Sequence, residues 1–478
     1  GLHPTTLPFI AESAYGTIMA RNAALLVLLF ALAGSAMGFQ LGRASLPSLR
    51  GSRAAQCPAK SSLRMQARPD GDDTPPSGGA LDRRSFGFSS AFALSSLIFT
   101  PTAPTWAADN ALIPADLPKT YKALYCDRVV SDPDFRKAVQ IKEVPMRLPE
   151  PDEVIVKVCY AGIILGNEEM RVMGIGKNED LKNMTEGFRT GSEGLGVIVA
   201  LGQEAADQGF GIGDNVAWAS RNGSFAEYNN VRWGYLQKVA KLQPEALAVR
   251  ISGAVSYSML TRRLRADEDM TILITAAAGG FGHMAVQWAK KVCGSRVIAV
   301  VGSPEKAKFV KRLGADVVID SSREKDLSAA IRRAAPKGLD GVIDTVGGEY
   351  INAGMANLRE GSLEKKTQGG KFVSVGFSSQ YPHNPKALRE VPTAFNAEEL
   401  FWAGGSQVND KFQSIYSSFI PVPLAVAARK EAFELWEEGK VRPVITKTYK
   451  GLGSVADAIE DQINRKTMGK VVVEIQRP

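Results

Sequence analysis

Histidine and cysteine are scarce in this chain of 478 residues, which holds three histidines (His3, His283, His383) and four cysteines (Cys57, Cys126, Cys159, Cys293). No two cysteines form a CxxC pair, so neither a structural zinc lobe nor a disulfide framework is expected. The supply of both residue types is too small for a tetrahedral catalytic metal site, and no metal is expected. Long basic runs and basic–aromatic stripes are also missing. Residues 1–107 carry nine Lys/Arg against five Asp/Glu, half of the net charge of +8, and the remainder has no clustered cation to hold a nucleic acid. The apolar run at 23–33 falls short of the roughly 20 residues that span a bilayer. With 45% hydrophobic and 23% charged residues, the composition is that of a soluble globular enzyme of about two domains.

The first 107 residues read as targeting sequence. From Met19, the segment Met19-Ala20-Arg21-Asn22, the apolar stretch and small residues at Ala36 and Gly38 follow the order of a signal peptide over 19–38. Residues 39–69 hold six Arg/Lys and no acid, the composition of a transit peptide over 39–82. Such a two-part leader resembles that of algae with secondary plastids. Arg83-Arg84-Ser85-Phe86, an apolar stretch and Thr105-Trp106-Ala107 then resemble a twin-arginine signal over 83–107, which addresses a folded protein to the thylakoid lumen. The alternative for this third element is an uncleaved stromal or membrane-attached segment.

Between residues 271 and 376, short β-branched runs alternate with amphipathic stretches, the pattern of βαβ units and a parallel sheet covered on both faces. Strands are expected at 271–275, 297–301, 317–319, 341–345 and 372–375, which makes a doubly wound domain. Directly after the first comes Ala276-Ala277-Ala278-Gly279-Gly280-Phe281-Gly282, then a helix with Met284, Ala285, Trp288 and Ala289 on one face. Small residues admit a pyrophosphate to the backbone, and the helix N-terminus offers oriented N–H groups to it. After the second strand, where NAD-binding chains usually carry a carboxylate, stands Gly302-Ser303-Pro304-Glu305-Lys306. Ser303 and Lys306 suit a 2′-phosphate, hence NADPH. The alternative is that Glu305 takes the ribose and Lys306 is solvated.

These residues resemble the medium-chain dehydrogenase/reductase family. So do Leu313-Gly314-Ala315-Asp316, Asp344-Thr345-Val346-Gly347-Gly348, Gly191-Ser192-Glu193-Gly194-Leu195-Gly196-Val197, Gly223-Ser224-Phe225-Ala226-Glu227-Tyr228 and Gly469-Lys470-Val471-Val472. Asp134-Phe135-Arg136-Lys137-Ala138-Val139 makes the likeness closest to its zinc-independent quinone oxidoreductase and prostaglandin reductase branch, over essentially all of 119–478. The resemblance implies an α/β fold in which a Rossmann domain (251–402) is inserted into a GroES-like, mainly-β catalytic domain (119–250 with 403–478), the substrate lying in the cleft between them. It implies NADPH held by Ala278, Gly279, Gly280, Phe281, Gly282, Ser303, Lys306, Val346, Gly347, Gly376, Phe377 and Asn409. A hydride then passes to a quinone or to the β-carbon of an enone, without zinc or a covalent intermediate. Ser192 stands where zinc-dependent members carry a histidine before the Glu.

The chain departs from the family at several points. Ile164 stands where the substrate-side Asn is expected and Asn167 where an Asp is. Val255 replaces a hydroxyl near the nicotinamide, and Ser321 occupies the place of a phosphate-binding Tyr. Tyr257 remains as the best hydroxyl for the nicotinamide ribose or the substrate carbonyl, with a buried core tyrosine as the alternative. His283 is expected to pack or to face solvent near the cofactor rather than to act as an acid. The loop 378–396, with Tyr381, His383 and Arg389, caps the cleft or joins subunits, and family members are commonly dimers. Two functions follow as expectations: an NADPH-dependent quinone or enone reductase of a plastid, and a cofactor-holding subunit of a thylakoid complex weakened in catalysis.

Overall fold

A computed structural model of the protein describes residues 116–130, 134–173, 187–220, 223–361, 369–380, 412–414 and 422–478. The leader, the loop 381–396 and Asn409 lie outside the described residues. Among those described, no helix is long and apolar enough to cross a membrane.

The catalytic part starts with β1 (Thr120–Cys126), β2 (Val139–Pro145) and β3 (Glu153–Gly162), followed by β4 (Phe188–Arg189), β5 (Glu193–Leu201), β6 (Asn215–Ala219), β7 (Tyr228–Arg232) and β8 (Leu236–Lys238). Strand β1 pairs antiparallel with β2 and with β4. Strand β3 is the hub of the larger sheet, antiparallel to both β5 and β7. Its Val154, Val156 and Val158 all enter one apolar cluster with Ile198, Val216 and Trp218, as period-two alternation requires.

The inserted part carries β9 (Thr271–Ile274), β10 (Arg296–Val301), β11 (Val317–Asp320), β12 (Gly341–Asp344), β13 (Lys371–Ser374) and β14 (Phe412–Ser414), parallel throughout in the order β11-β10-β9-β12-β13-β14. Alternate residues serve opposite faces. Ile272, Ile274, Val297, Ala299 and Val301 enter one core, whereas Leu273, Ile298 and Val300 enter the other. That double burial is why these strands read as unbroken β-branched runs rather than alternating ones.

The chain then returns through β15 (Lys447–Lys450) and β16 (Val471–Glu474), and β16 pairs with β3 at Val472↔Gly162, completing the first sheet. The doubly wound sheet is thus inserted into a mainly antiparallel one. The boundary differs from the sequence expectation at one end. The sixth parallel strand, β14, lies beyond residue 402, and the helix Val422–Glu437 contributes Ala428, Ala432 and Phe433 to the same core as β9. Three residues with no β-branched member carry no strand signal, so pairing with β13, rather than local preference, makes β14 a strand.

Candidate active site

The glycine-rich turn leaves β9 and enters the helix Gly282–Gln287 at a tight corner. Ala276 adopts φ 43°, which turns its carbonyl back toward the helix start, where it accepts the Gly279 N–H at 2.9 Å. A Cβ at Gly282 would collide with that carbonyl and stand 2.6 Å from the Ala277 Cα, so only glycine passes here. Around Gly302 nothing lies within 4 Å of a Cβ position, leaving room above the end of β10. A bare backbone turn leading into a helix start, with open space beyond it, fits a dinucleotide pyrophosphate, although His283, Met284 and Ala285 N–H already donate to Gly279 and Phe281 carbonyls.

Behind the turn, fully buried Asp344 organises the next loop. Its carboxylate accepts Thr275 Oγ1–H at 2.6 Å, Val346 N–H at 3.1 Å and Gly347 N–H at 2.8 Å. Thr275 Oγ1 in turn accepts Thr345 N–H at 3.1 Å. Burial raises the Asp344 carboxyl above its usual range against the pull of these donors. The next loop is stitched on by Ser378 N–H to the Thr345 carbonyl (3.2 Å) and Ser379 N–H to the Val346 carbonyl (2.8 Å). Val346, Gly347, Gly376 and Phe377 therefore share one rim with the turn. The Phe377 side chain, however, is buried in the second core, which leaves only its backbone to the rim.

At the neighbouring corner, Ser303 caps the helix Pro304–Leu313 by accepting Lys306 N–H at 3.3 Å. The Lys306 side chain is half-buried and engaged. Its ammonium donates to the Arg465 carbonyl at 2.9 Å, and burial, with Arg465 beside it, lowers its pKa. Glu305 is exposed, and its carboxyl is held below the usual range by its own N–H and by Ser303. Ser321 sends its hydroxyl to the Val301 carbonyl at 3.1 Å and receives Tyr350 O–H at 3.2 Å.

The catalytic part grips the turn from the other side. Gly469 N–H donates to the Ala278 carbonyl at 2.8 Å, and His283, fully buried, spans the two parts through Gly279 and Val444. Gln287 adds a reciprocal pair, its amide donating to the Arg442 carbonyl at 3.0 Å and accepting Arg442 N–H at 2.9 Å. Below lies the buried ion pair of Lys470 and Glu193, with the Lys470 ammonium also donating to the Ile163 carbonyl at 3.1 Å. Burial raises the Glu193 carboxyl, and Lys470 and then Arg250 oppose it.

Sequence reasoning missed Glu168. Fully buried, its carboxylate accepts Ser192 Oγ–H at 2.6 Å and Gly191 N–H at 3.0 Å, so the serine standing in the metal-ligand position is tied to a carboxylate. The acidic pair after Asn167 was the only available signal. Asn167 itself lies in the helix Leu165–Val172, its side chain outside the described residues. Ile164 and Val255 are half-buried. Among the described residues no three of His, Cys, Asp or Glu gather as a metal site.

Tyr257 does not offer a free hydroxyl. It donates to Glu431 Oε2 at 2.9 Å, Arg262 binds both oxygens of the same carboxylate at 2.6 and 2.7 Å, and the ring meets Trp288 edge-on at 5.3 Å. Burial and Glu431 raise the phenol far above its usual pKa. The side chain thus points to the helix Val422–Glu437, a contact that the sequence could not supply because Glu431 lies 174 positions away.

Residues 280–401 match the family model of zinc-binding dehydrogenases. Among curated proteins, prostaglandin reductase-3 of Mus musculus is 30% identical over 76% of this chain and 91% of its own length. A probable quinone oxidoreductase of Leishmania amazonensis is 30% identical over 75% and 99%. An NAD-dependent alcohol dehydrogenase of Saccharolobus solfataricus is 28% identical over 72% and 99%. Among solved structures, the Pseudomonas syringae quinone oxidoreductase superposes with a TM-score of 0.58 at 23% identity, over 74% of this chain and 99% of that one. A mycobacterial protein solved with NADPH superposes with a TM-score of 0.59 at 24% identity, over 74% and 99%. With this likeness running through both parts of the fold and the glycine-rich turn, the chain belongs to the medium-chain dehydrogenase/reductase family of oxidoreductases, in its quinone oxidoreductase and prostaglandin reductase branch.

Proposed function

We propose that the protein is an NADPH-dependent reductase of quinones or α,β-unsaturated carbonyls. The observation that carries the cofactor half of this reading is the corner at Lys306. A half-buried ammonium is held there against the Arg465 carbonyl at 2.9 Å, within reach of the Arg465 charge, and Lys306 has no ion pair among the described residues. A half-buried cation without a counter-charge favours an anion, and the 2′-phosphate is the anion that a dinucleotide carries at this end of a Rossmann sheet.

When bound, the reduced nicotinamide supplies a hydride to an electron-poor carbon. The chain's own residues bind and orient. The backbone of the glycine-rich turn at Gly279–Gly282 would hold the pyrophosphate, and the loop fixed by Asp344 would orient the rest of the dinucleotide. No side chain forms a bond to substrate.

A second reading, a cofactor-holding subunit of a thylakoid complex, is favoured by one observation, the commitment of the Tyr257 hydroxyl to Glu431. The leader supports a plastid address for either, with lumen, stroma and membrane attachment as the alternatives. Fluorescence titration of the purified protein with NADPH and NADH, followed by turnover of a panel of quinones and enones, separates them. NADPH binding with turnover is expected. Binding without turnover selects the subunit reading, and absence of binding overturns both.

A further inference from the structure

Ser321 occupies the place at the end of β11 where the family resemblance led us to expect a phosphate-binding tyrosine. The serine is no replacement. A hydroxyl has one proton to donate, and that of Ser321 lies on the Val301 carbonyl at 3.1 Å, where it also reinforces the Ser321 N–H bond to the same carbonyl at 2.8 Å. Toward the open corner Ser321 therefore presents only acceptor capacity, the wrong polarity for a phosphate.

The missing donor comes from another element. Tyr350, in the first turn of the helix Glu349–Met355, extends to the end of β11 and places its hydroxyl 3.2 Å from Ser321 Oγ. Its ring is partly buried, so the phenol is held in place rather than swept by solvent. Through Ser321 the phenol is tied to the Val301 carbonyl at the end of β10, one residue before the Gly302-Ser303 corner from which the Lys306 helix starts, and the charge of Arg465 acts on both the phenol and the Lys306 ammonium. Acids are also nearby: Asp320 accepts from Ser322 through one oxygen and has Arg323 3.5 Å from the other, Glu305 is drawn to its own helix start, and Glu349, beside Tyr350 in the chain, is exposed to solvent that screens its charge.

Resting on the NADPH reading above, we propose that Tyr350 is a specificity-determining residue that supplies the 2′-phosphate with the phenolic donor lost at position 321. On binding, its O–H turns from Ser321 Oγ to a phosphate oxygen, and Ser321 keeps its bond to Val301. The role concerns only the 2′-phosphate, so removing the hydroxyl discriminates between cofactors that differ by that group alone.

The test is titration of the full chain by fluorescence with NADPH and with NADH, and competition by 2′,5′-ADP against 5′-AMP. Tyr350→Phe keeps the ring and its packing. It is expected to weaken NADPH and 2′,5′-ADP by roughly 10-fold, the scale of one hydrogen bond to a charged group, and to leave NADH and 5′-AMP unchanged. The double variant Tyr350→Phe with Ser321→Tyr is expected to recover the preference. Equal weakening of both cofactors, or no change in either, overturns the proposal while the NADPH reading stands. A wild-type protein that binds NADH as tightly as NADPH removes that reading and this one together.

Discussion

The imidazole of His283 joins the glycine-rich turn to the catalytic part: Nε2 accepts Val444 N–H at 3.2 Å while Nδ1 meets the Gly279 carbonyl at 3.0 Å. Because Nε2 accepts, the proton sits on Nδ1 and the ring is neutral. A second proton would turn the acceptor facing Val444 into a donor and break the join.

Burial pulls this imidazole from 6.5 down to about 4. Between those values the unfolded chain binds a proton that the folded chain refuses, so stability is complete above the unfolded value and falls as the pH drops toward 4. The full effect is on the order of 3 kcal/mol. The wild-type Tm is expected to decline more steeply through this window than that of His283→Asn, which cannot titrate. Parallel declines would assign the acid sensitivity to other groups.

Asp344 accepts from three donors at once, and an amide cannot. In Asp344→Asn at least one of Thr275 Oγ1–H, Val346 N–H and Gly347 N–H faces an NH2 group in a dry site. The loss of stability is expected to be about 2 kcal/mol in urea unfolding. If the dinucleotide lies along the loop that Asp344 fixes, as proposed, the dissociation constant for NADPH should rise with it. A destabilised variant that binds as tightly as wild type would show that the loop takes no part in binding.

Tyr257→Phe removes the donor to Glu431 but leaves Arg262 on both carboxylate oxygens. A loss of about 1 kcal/mol in stability is expected, with turnover changed less than threefold, as befits a hydroxyl committed to Glu431. A fall in kcat on the order of a hundredfold or more, the scale of a lost oxyanion donor, would return Tyr257 to the reacting centre.

What was legible in the sequence was whatever has a local cause. The five parallel strands at 271–375 stood out because burial on both faces selects successive apolar, largely β-branched residues, and Gly282 stood out because its corner admits no side chain. What was not legible depends on partners distant along the chain. Tyr257 and Glu431 meet across 174 positions, and Tyr350 and Ser321 across 29. Glu168 is marked in its own neighbourhood only as half of an acidic pair, which does not name Ser192 as its partner, and β14 exists because β13 offers it an edge.

Lys470 and Glu193 are the other long-range pair, both all but fully buried, with Gly162 required to be glycine because any Cβ there would collide with the Glu193 carboxylate. The ions lie beneath the glycine-rich turn, where Lys470 Cδ stands 3.7 Å from a Cβ position at Gly280. Taking two charges out of water costs about as much as their attraction returns, so the pair adds little net stability, yet either member alone is a buried, uncompensated charge. Lys470→Met should therefore cost about 3–5 kcal/mol, and Glu193→Gln combined with Lys470→Met distinctly less than the single substitution. Urea unfolding of the two single variants and the double variant measures this coupling directly. If the double variant loses the sum of the single losses, the two ions act independently and the pair is not what holds the turn against the catalytic sheet.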